Sequence, residues 1–251
     1  MPIQTDRKEG LVSLRKSIVV PCYNEAANLP NLLARFEALV PSDRSKLDWE
    51  LLLVDNGSTD TTAEVFAKEL EKPGRAFVKV VTVPRPNVGY GHGIVTGLRA
   101  AQGDFLAWTH ADGQTSPRDV LRAFEMLETS PKPESTLVKG RRRARPLRDT
   151  LFTLGMQGAA LAILGESLED INGQPKAFPR RLFELANEPP TDLSLDLYFF
   201  YIARKNGFTV RTFDVDFGAR EHGESKWAFN FRSKAKNVAR AVKYMAALRR
   251  G

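Results

Sequence analysis

The chain is poor in cysteine, in histidine and in long apolar runs. A single cysteine in 251 residues, Cys22, excludes an internal disulfide and fits a reducing compartment such as the cytoplasm. The longest mainly apolar stretch, Leu151 to Leu164, is shorter than the roughly 20 residues a spanning helix needs, so no segment is expected to cross a bilayer. Met1 to Lys16 is polar and lacks the apolar core of a secretory leader. No G-x-x-x-x-G-K-[ST] run occurs, which excludes a P-loop, and there is no repeat or low-complexity segment. From Trp227 to Gly251 there is no acid at all.

Against these gaps stands an excess of base. Thirty-seven Lys and Arg against 30 Asp and Glu give a net charge of +7, which favours anionic partners: nucleotides, phosphorylated substrates, lipid headgroups or nucleic acid. Apolar runs at Ser17–Pro21, Glu50–Asp55, Phe77–Val83, Phe105–Thr109, Ser135–Gly140 and Phe208–Phe217 alternate with helical patterns such as Leu29, Leu32, Leu33, Phe36 and Leu39. That alternation predicts an α/β domain, a mostly parallel sheet covered by helices. Polar clusters follow the early runs: "PCYNE", "VDNGSTD", "PRPNVGYGHG" and "HADGQ". In open sheets ligands bind beyond the carboxyl ends of strands, so four such loops predict a ligand site there.

Two clusters invite chemical readings. "NVGYGHGIVTG" imitates a dinucleotide fingerprint, but Gly91, Gly93 and Gly97 are spaced one residue too long and two prolines separate them from the strand. The helix amides after Gly93 remain a candidate anion contact. In "HADGQ", Asp112 and Gln114 supply hard oxygen donors of the kind Mg²⁺ or Mn²⁺ prefers, leaving positions for diphosphate oxygens. The plainer alternative is that Asp112 caps the helix starting near Pro117. The run "KGRRRARPLR" has no interleaved aromatic, which argues against a nucleic-acid partner.

These loops, with "KGRRRAR", "DINGQPKAFPRR", "LSLDLYFFYIARKNGF" and "REHGESKW" in order, resemble the inverting glycosyltransferases of family 2, with the GT-A fold. The likeness is nearest to the branch that makes polyprenyl- or dolichyl-phosphate sugars, and it runs from about Ser17 to Trp227. It implies a GDP- or UDP-linked sugar donor, a lipid-phosphate acceptor and a divalent cation, Mg²⁺ or Mn²⁺. Pro21, Tyr23 and Glu25 match nucleotide-contacting positions. Asp55 and Asn56 match a pair whose second member reads the base, where the family often has two aspartates. Asp112 matches the last acid of the D-x-D motif and Gln114 a second metal-ligand position. His110 stands where the first acid would, with Ala111 between them among the donor-binding positions. Arg142 matches an arginine that meets sugar or acceptor phosphate, and Lys176 an acceptor-side position. Arg220, Ser225 and Lys226 match a loop that closes over the diphosphate.

Asp196 matches the family's catalytic aspartate, which deprotonates a hydroxyl acceptor. A phosphate acceptor is already anionic and requires no base, leaving Asp196 an orienting role. Asp192, four residues earlier, reads better as a helix-start carboxylate. The same donor chemistry with a hydroxyl acceptor, or a non-catalytic nucleotide-sugar-binding protein, are the alternatives, the latter suggested by His110 and Asn56. The expected organisation is a tail over 1–16, a catalytic domain over 17–227 and a basic amphipathic helix over 228–251. In that helix Phe231, Ala235, Val238, Val242 and Met245 form an apolar stripe, suited to an anionic membrane surface or to core packing.

Overall fold

The computed structural model describes residues 16–143, 147–218 and 231–250, and for 147–153 and 231–237 the backbone alone. Seven strands form one sheet in the order β3-β2-β1-β4-β6-β5-β7. They are β1 Lys16–Cys22, β2 Trp49–Asn56, β3 Val78–Val83, β4 Phe105–Trp108, β5 Thr136–Arg143, β6 Lys176–Pro179 and β7 Thr209–Asp216. Strands β1 to β4 pair parallel, as do β5 and β7, while β6 runs antiparallel to both β4 and β5. Two antiparallel pairings in succession leave β5 pointing the same way as β4. The carboxyl ends of β1, β2, β4 and β5 therefore share one edge.

The apolar runs become strands because both faces are covered. Val19, Leu52, Val54, Leu106 and Trp108 pack beneath one helical layer, and Ile18, Val20, Leu51, Leu53 and Ala107 beneath the other. Strand β2 is buried at all eight positions, as a central strand of a covered parallel sheet should be. One layer holds α1 (Leu29–Glu37), α2 (Thr62–Leu70) and α4 (Pro117–Glu128), and the other α3 (Tyr90–Ala100), α5 (Leu147–Leu164), α6 (Arg180–Glu184), α7 (Ser194–Lys205) and α8 (Phe231–Arg250).

The strand expected over Ser135–Gly140 runs on into the basic run. Arg141, Arg142 and Arg143 do not follow a strand; they complete β5, in register with Asp214, Val215 and Asp216 of β7. Alternate side chains on a strand face opposite ways, so Arg141 and Arg143 both reach Asp214 while Arg142 turns to the other side. Lys16, expected in the tail, opens β1 and is paired with Asp48 and Glu128. Residues 1–15 lie outside the described residues.

Candidate active site

The shared strand edge is laced together before any ligand is considered. Asn24, at φ 57°, accepts through Oδ1 from the Thr59 amide at 2.7 Å, and the Asn24 amide donates to Ser58 Oγ at 3.1 Å. Asn, with its short polar side chain, tolerates this left-handed backbone better than most residues. The Glu25 amide donates to Thr62 Oγ1 at 3.0 Å, and Asp55 Oδ1 accepts from the Ser58 amide at 3.0 Å. Thus the loops after β1 and β2 hold each other, leaving Pro21, Tyr23 and Glu25 half-buried at the edge and Asp55 buried beneath. Cys22 is fully buried; burial, with Glu25 and Asp55 nearby, pushes its thiol well up, so it is an inert core residue.

The glycine-rich segment proves to be a packing device. A Cβ on Gly89 would fall 2.3 Å from the Thr191 carbonyl oxygen, and one on Gly91 2.4 Å from that of Pro190. Gly93 lies against the Asn56 side chain, and Gly97 against Val19 and Val54. The helix starts at Tyr90 rather than after Gly93. Its His92 amide donates to Thr191 O at 3.0 Å, and its Gly93 amide to Gly89 O at 3.3 Å. The amides after Gly93 therefore lie inside the helix rather than at its free end, and those of His92 and Gly93 meet protein carbonyls, so the anticipated anion contact is not offered there. What the glycines permit is close docking of α3 on the segment leading into α7. Asn56 belongs to the same joint: its amide donates to Gly89 O at 2.8 Å, and its backbone carbonyl accepts from Asn87 Nδ2 at 2.7 Å.

Helix α7 delivers the deepest acid. Asp192 sits before the helix, not on its face, and accepts from the Ser194 amide at 2.9 Å as a helix-start carboxylate. Asp196 lies in the first turn, where the positive end of the helix suits a carboxylate. Phe199, one turn on, is anchored edge-on against Trp108 at 5.1 Å and beside Phe178 at 5.4 Å. This aromatic cluster joins α7 to the ends of β4 and β6. Asp196 is 2% exposed and accepts from Gln174 Nε2 at 2.9 Å and, in a very short contact, from the Lys176 ammonium. Lys176 is fully buried, also donates to Gly173 O at 3.0 Å, and stands over the Trp108 ring at 5.6 Å. Burial pulls its pKa down although Asp196 opposes the change. Gln174 further donates to the Tyr90 hydroxyl at 3.1 Å, tying α3 to the same group.

Around these lies the predicted donor corner. Ser116 and Asp119 form a reciprocal capping box for α4, so Asp112 is not the helix cap. Instead Asp112 is 4% exposed, and its Oδ1 accepts from the Gln114 amide at 3.2 Å. Gln114 is fastened to Gly218, whose carbonyl accepts from its Nε2 at 3.1 Å. Ala111 is buried beside them. The His110 ring lies 6.0 Å from that of Tyr90. Burial lowers the His110 pKa, Asp112 and Asp196 pull it up, and Arg142 and Lys176 push it down again. Two acids and two bases thus act on the ring from its surroundings. Arg142 is clamped by Asp170, which accepts from its backbone amide at 2.9 Å and its Nε at 3.2 Å. Burial raises the Asp170 pKa, but Arg142 more than reverses this and holds it down at about 2.

The structure thus gathers His110, Asp112, Gln114, Arg142, Lys176 and Asp196 at one edge, with Pro21, Tyr23, Glu25, Asp55 and Asn56 at the ends of neighbouring strands. Arg220, Ser225 and Lys226 lie outside the described residues. Four participants escaped the sequence reading: Tyr90, Asp170, Gln174 and Lys139. Lys139 is wholly buried opposite Lys176 in the β5–β6 register, donating to Glu169 O at 2.8 Å, and burial brings its pKa to about 7. A lysine inside an apolar strand was its visible signal.

Comparison with known proteins gives this edge a context. The chain is 29% identical over 222 residues to undecaprenyl-phosphate 4-deoxy-4-formamido-L-arabinose transferase of Photorhabdus laumondii, covering 85% of this chain and 63% of that protein. The same enzyme of Pseudomonas paraeruginosa is 30% identical over 219 residues, covering 84% and 60%. The chain thus spans about three fifths of the length of these curated relatives. Among solved structures, glucosyl-3-phosphoglycerate synthase of Mycobacterium tuberculosis, in complex with Mn²⁺, UDP and phosphoglyceric acid, superposes with a TM-score of 0.70 at 21% identity. That match covers 98% of this chain and 85% of the other. A mannosyltransferase of Pyrobaculum calidifontis with GDP-Man and Mn²⁺ gives 0.61 at 23%, covering 93% and 69%. These likenesses establish the GT-A fold. The model of glycosyl transferase family 2 matches residues 17–184, two thirds of the chain and most of the strand edge just described, and the chain belongs to that family.

Proposed function

We propose that the chain transfers a hexose from a nucleotide-diphospho-sugar to a polyprenyl phosphate, with inversion at the anomeric carbon. The observation that carries the choice of acceptor is the state of Asp196. Its carboxylate is buried and held by the Lys176 ammonium and the Gln174 amide. A carboxylate so neutralised is a poor base for a hydroxyl, since protonating it would leave the buried Lys176 charge unpaired. A phosphate acceptor needs no base. One of its oxygens attacks the anomeric carbon as the bond to the donor's diphosphate breaks, and the nucleoside diphosphate leaves with that electron pair.

In this reading Pro21, Tyr23, Glu25, Asp55 and Asn56 border the nucleotide, and Arg142, fixed in direction by Asp170, faces the phosphates. Lys176 and Asp196 act by holding the floor of the site rigid. Among the described residues no three His, Cys, Asp or Glu side chains are gathered to hold a metal on their own. A carboxylate at Asp112 with the neighbouring His110 imidazole and the Gln114 amide fits a divalent ion whose remaining positions belong to diphosphate oxygens. When bound, the ion supplies positive charge where the leaving diphosphate gains negative charge. A lipid acceptor also assigns the protein to a membrane surface, on its cytoplasmic face. Neighbouring structures with UDP or GDP-Man support the donor class, and relatives named for undecaprenyl phosphate support the acceptor.

The test is transfer from a panel of UDP- and GDP-sugars to a short-chain polyprenyl phosphate dispersed in detergent. Product formation requiring Mn²⁺ or Mg²⁺ is expected. Transfer to the corresponding polyprenol, with none to its phosphate, would reverse the assignment of the acceptor.

A further inference from the structure

Beyond its first turn helix α5 is largely apolar. From Thr150 to Gly165 the sequence has no charged residue. Its inward side, with Met156, Ala159, Ala160 and Ile163, packs in the core beside Tyr244, Met245 and Leu248 of α8. Its outward side carries Leu154 and Leu161, each 56% exposed, the most exposed large hydrophobics among the described residues. Seven residues apart, they share one helical face. Gly155 and Gly158 adjoin that face with nothing within 4 Å of where a side chain would begin. One polar side chain, Gln157, stands half-buried on that face and donates to Ser167 Oγ at 3.3 Å; the remainder is apolar, and an exposed apolar face marks an interaction surface.

The apolar stripe foreseen on α8 does not serve this purpose. Its described part is turned inward, Met245 being fully buried and Val238 and Val242 half-buried, while Lys243, Arg249 and Arg250 are exposed. Phe231 and Ala235 have side chains outside the described residues. Helix α8 thus presents charge, and its neighbour α5 presents hydrocarbon.

We propose that the outward face of α5, centred on Leu154 and Leu161, seats in an anionic lipid surface, with α8 as its cationic companion. Three observations favour lipid as the occupant. The segment from Trp227 onward is basic without a single acid, which complements anionic headgroups. Helix α5 begins five residues after Arg142, so its amino-terminal end adjoins the sheet edge that carries the candidate site. A second copy seated symmetrically on the same face would bring two acid-free basic helices together, which like charge opposes. The proposal extends the lipid-acceptor reading but is measured separately from it.

The full chain is sedimented with vesicles of phosphatidylglycerol mixed into phosphatidylcholine, and with phosphatidylcholine alone. Binding to the anionic vesicles, weakened by salt, is expected. The double variant Leu154→Ser/Leu161→Ser should partition about tenfold less or lower, with unchanged melting temperature and unchanged transfer to the detergent-dispersed acceptor. Leu70→Ser, on the exposed side of α2, should change nothing. An environment-sensitive fluorophore on Leu161→Cys should shift to the blue on adding vesicles, whereas one on Leu70→Cys should not; Cys22 is too buried to compete. Equal vesicle binding by wild type and double variant, or no binding by wild type, overturns the proposal. So does a fluorophore shift that follows protein concentration without lipid, which would make the face a contact between copies. Failure of transfer in detergent bears on the acceptor, not on this surface.

Discussion

The Lys176 ammonium and the Asp196 carboxylate meet in direct contact inside the protein, their side chains 0% and 3% exposed. The pair joins β6 to α7 at the strand edge that carries His110 and Asp112, and it bears on which of two roles the acid plays.

Replacing Asp196 separates those roles. Under the orienting role, Asp196→Asn lowers kcat by about tenfold or less on a phosphate acceptor and leaves the shape of the pH–rate profile unchanged. A general base contributes roughly 10²–10⁴-fold, and its loss would also remove the acidic limb of the profile. A steady-state pH series on both proteins distinguishes the outcomes.

Breaking the pair from one side should be costly. In Lys176→Met the Asp196 charge stays buried with only the neutral Gln174 and Tyr90 beside it, and a loss of about 3–5 kcal/mol in unfolding free energy is expected. The double variant Lys176→Met/Asp196→Leu should recover much of it, because no lone charge remains. Urea unfolding of the three proteins provides the check.

Lys139 gives the fold a specific pH dependence. The folded group titrates at about 7, against 10.5 ordinarily. Between those values the unfolded chain holds a proton that the folded chain has shed, so this contribution to stability rises with pH across that window. From about pH 7.5 to about pH 9 it amounts to roughly 1–2 kcal/mol. Lys139→Met should remove that rise; an identical slope in the variant would contradict the assignment.

The glycine packing predicts a long-range effect on activity. In Gly91→Ala the new methyl meets the Pro190 carbonyl, and α3 must shift away from the lead-in to α7. A destabilisation of about 1–3 kcal/mol is expected. Loss of kcat should accompany it, because Tyr90 and Asp196 are no longer held together through Gln174. Full activity in a folded variant would show that the joint has no part in the site.

Much of this was legible beforehand, and the failures have physical causes. Strands β1, β2 and β4 announce themselves because burial on both faces requires unbroken apolar runs, and the polar loops after them mark the site. Strand β6 does not: four residues, Lys176 to Pro179, with a lysine at one end and a proline at the other, offer no period to read. Without β6 the antiparallel step is missed, and with it the pairing of Lys139 with Lys176. The apolar run ends at Gly140, so the strand's continuation through the arginines is hidden; the single β7 acid that receives both Arg141 and Arg143, Asp214, is some seventy residues away. The glycines tempted an anion reading because their use depends on Pro190 and Thr191, which nothing local reveals. Asp170 carries no motif of its own, and only the fold shows that it orients Arg142.

The central claim is that Asp112 serves a nucleotide diphosphate through a shared divalent ion. Calorimetry of UDP and GDP with Mn²⁺ present or absent, on the wild type and on Asp112→Ala, tests it most directly. The account predicts nucleotide binding by the wild type that strengthens at least about tenfold with Mn²⁺, and a folded Asp112→Ala protein in which that gain is gone. Equal binding with and without the ion, or an undiminished gain in Asp112→Ala, would contradict it.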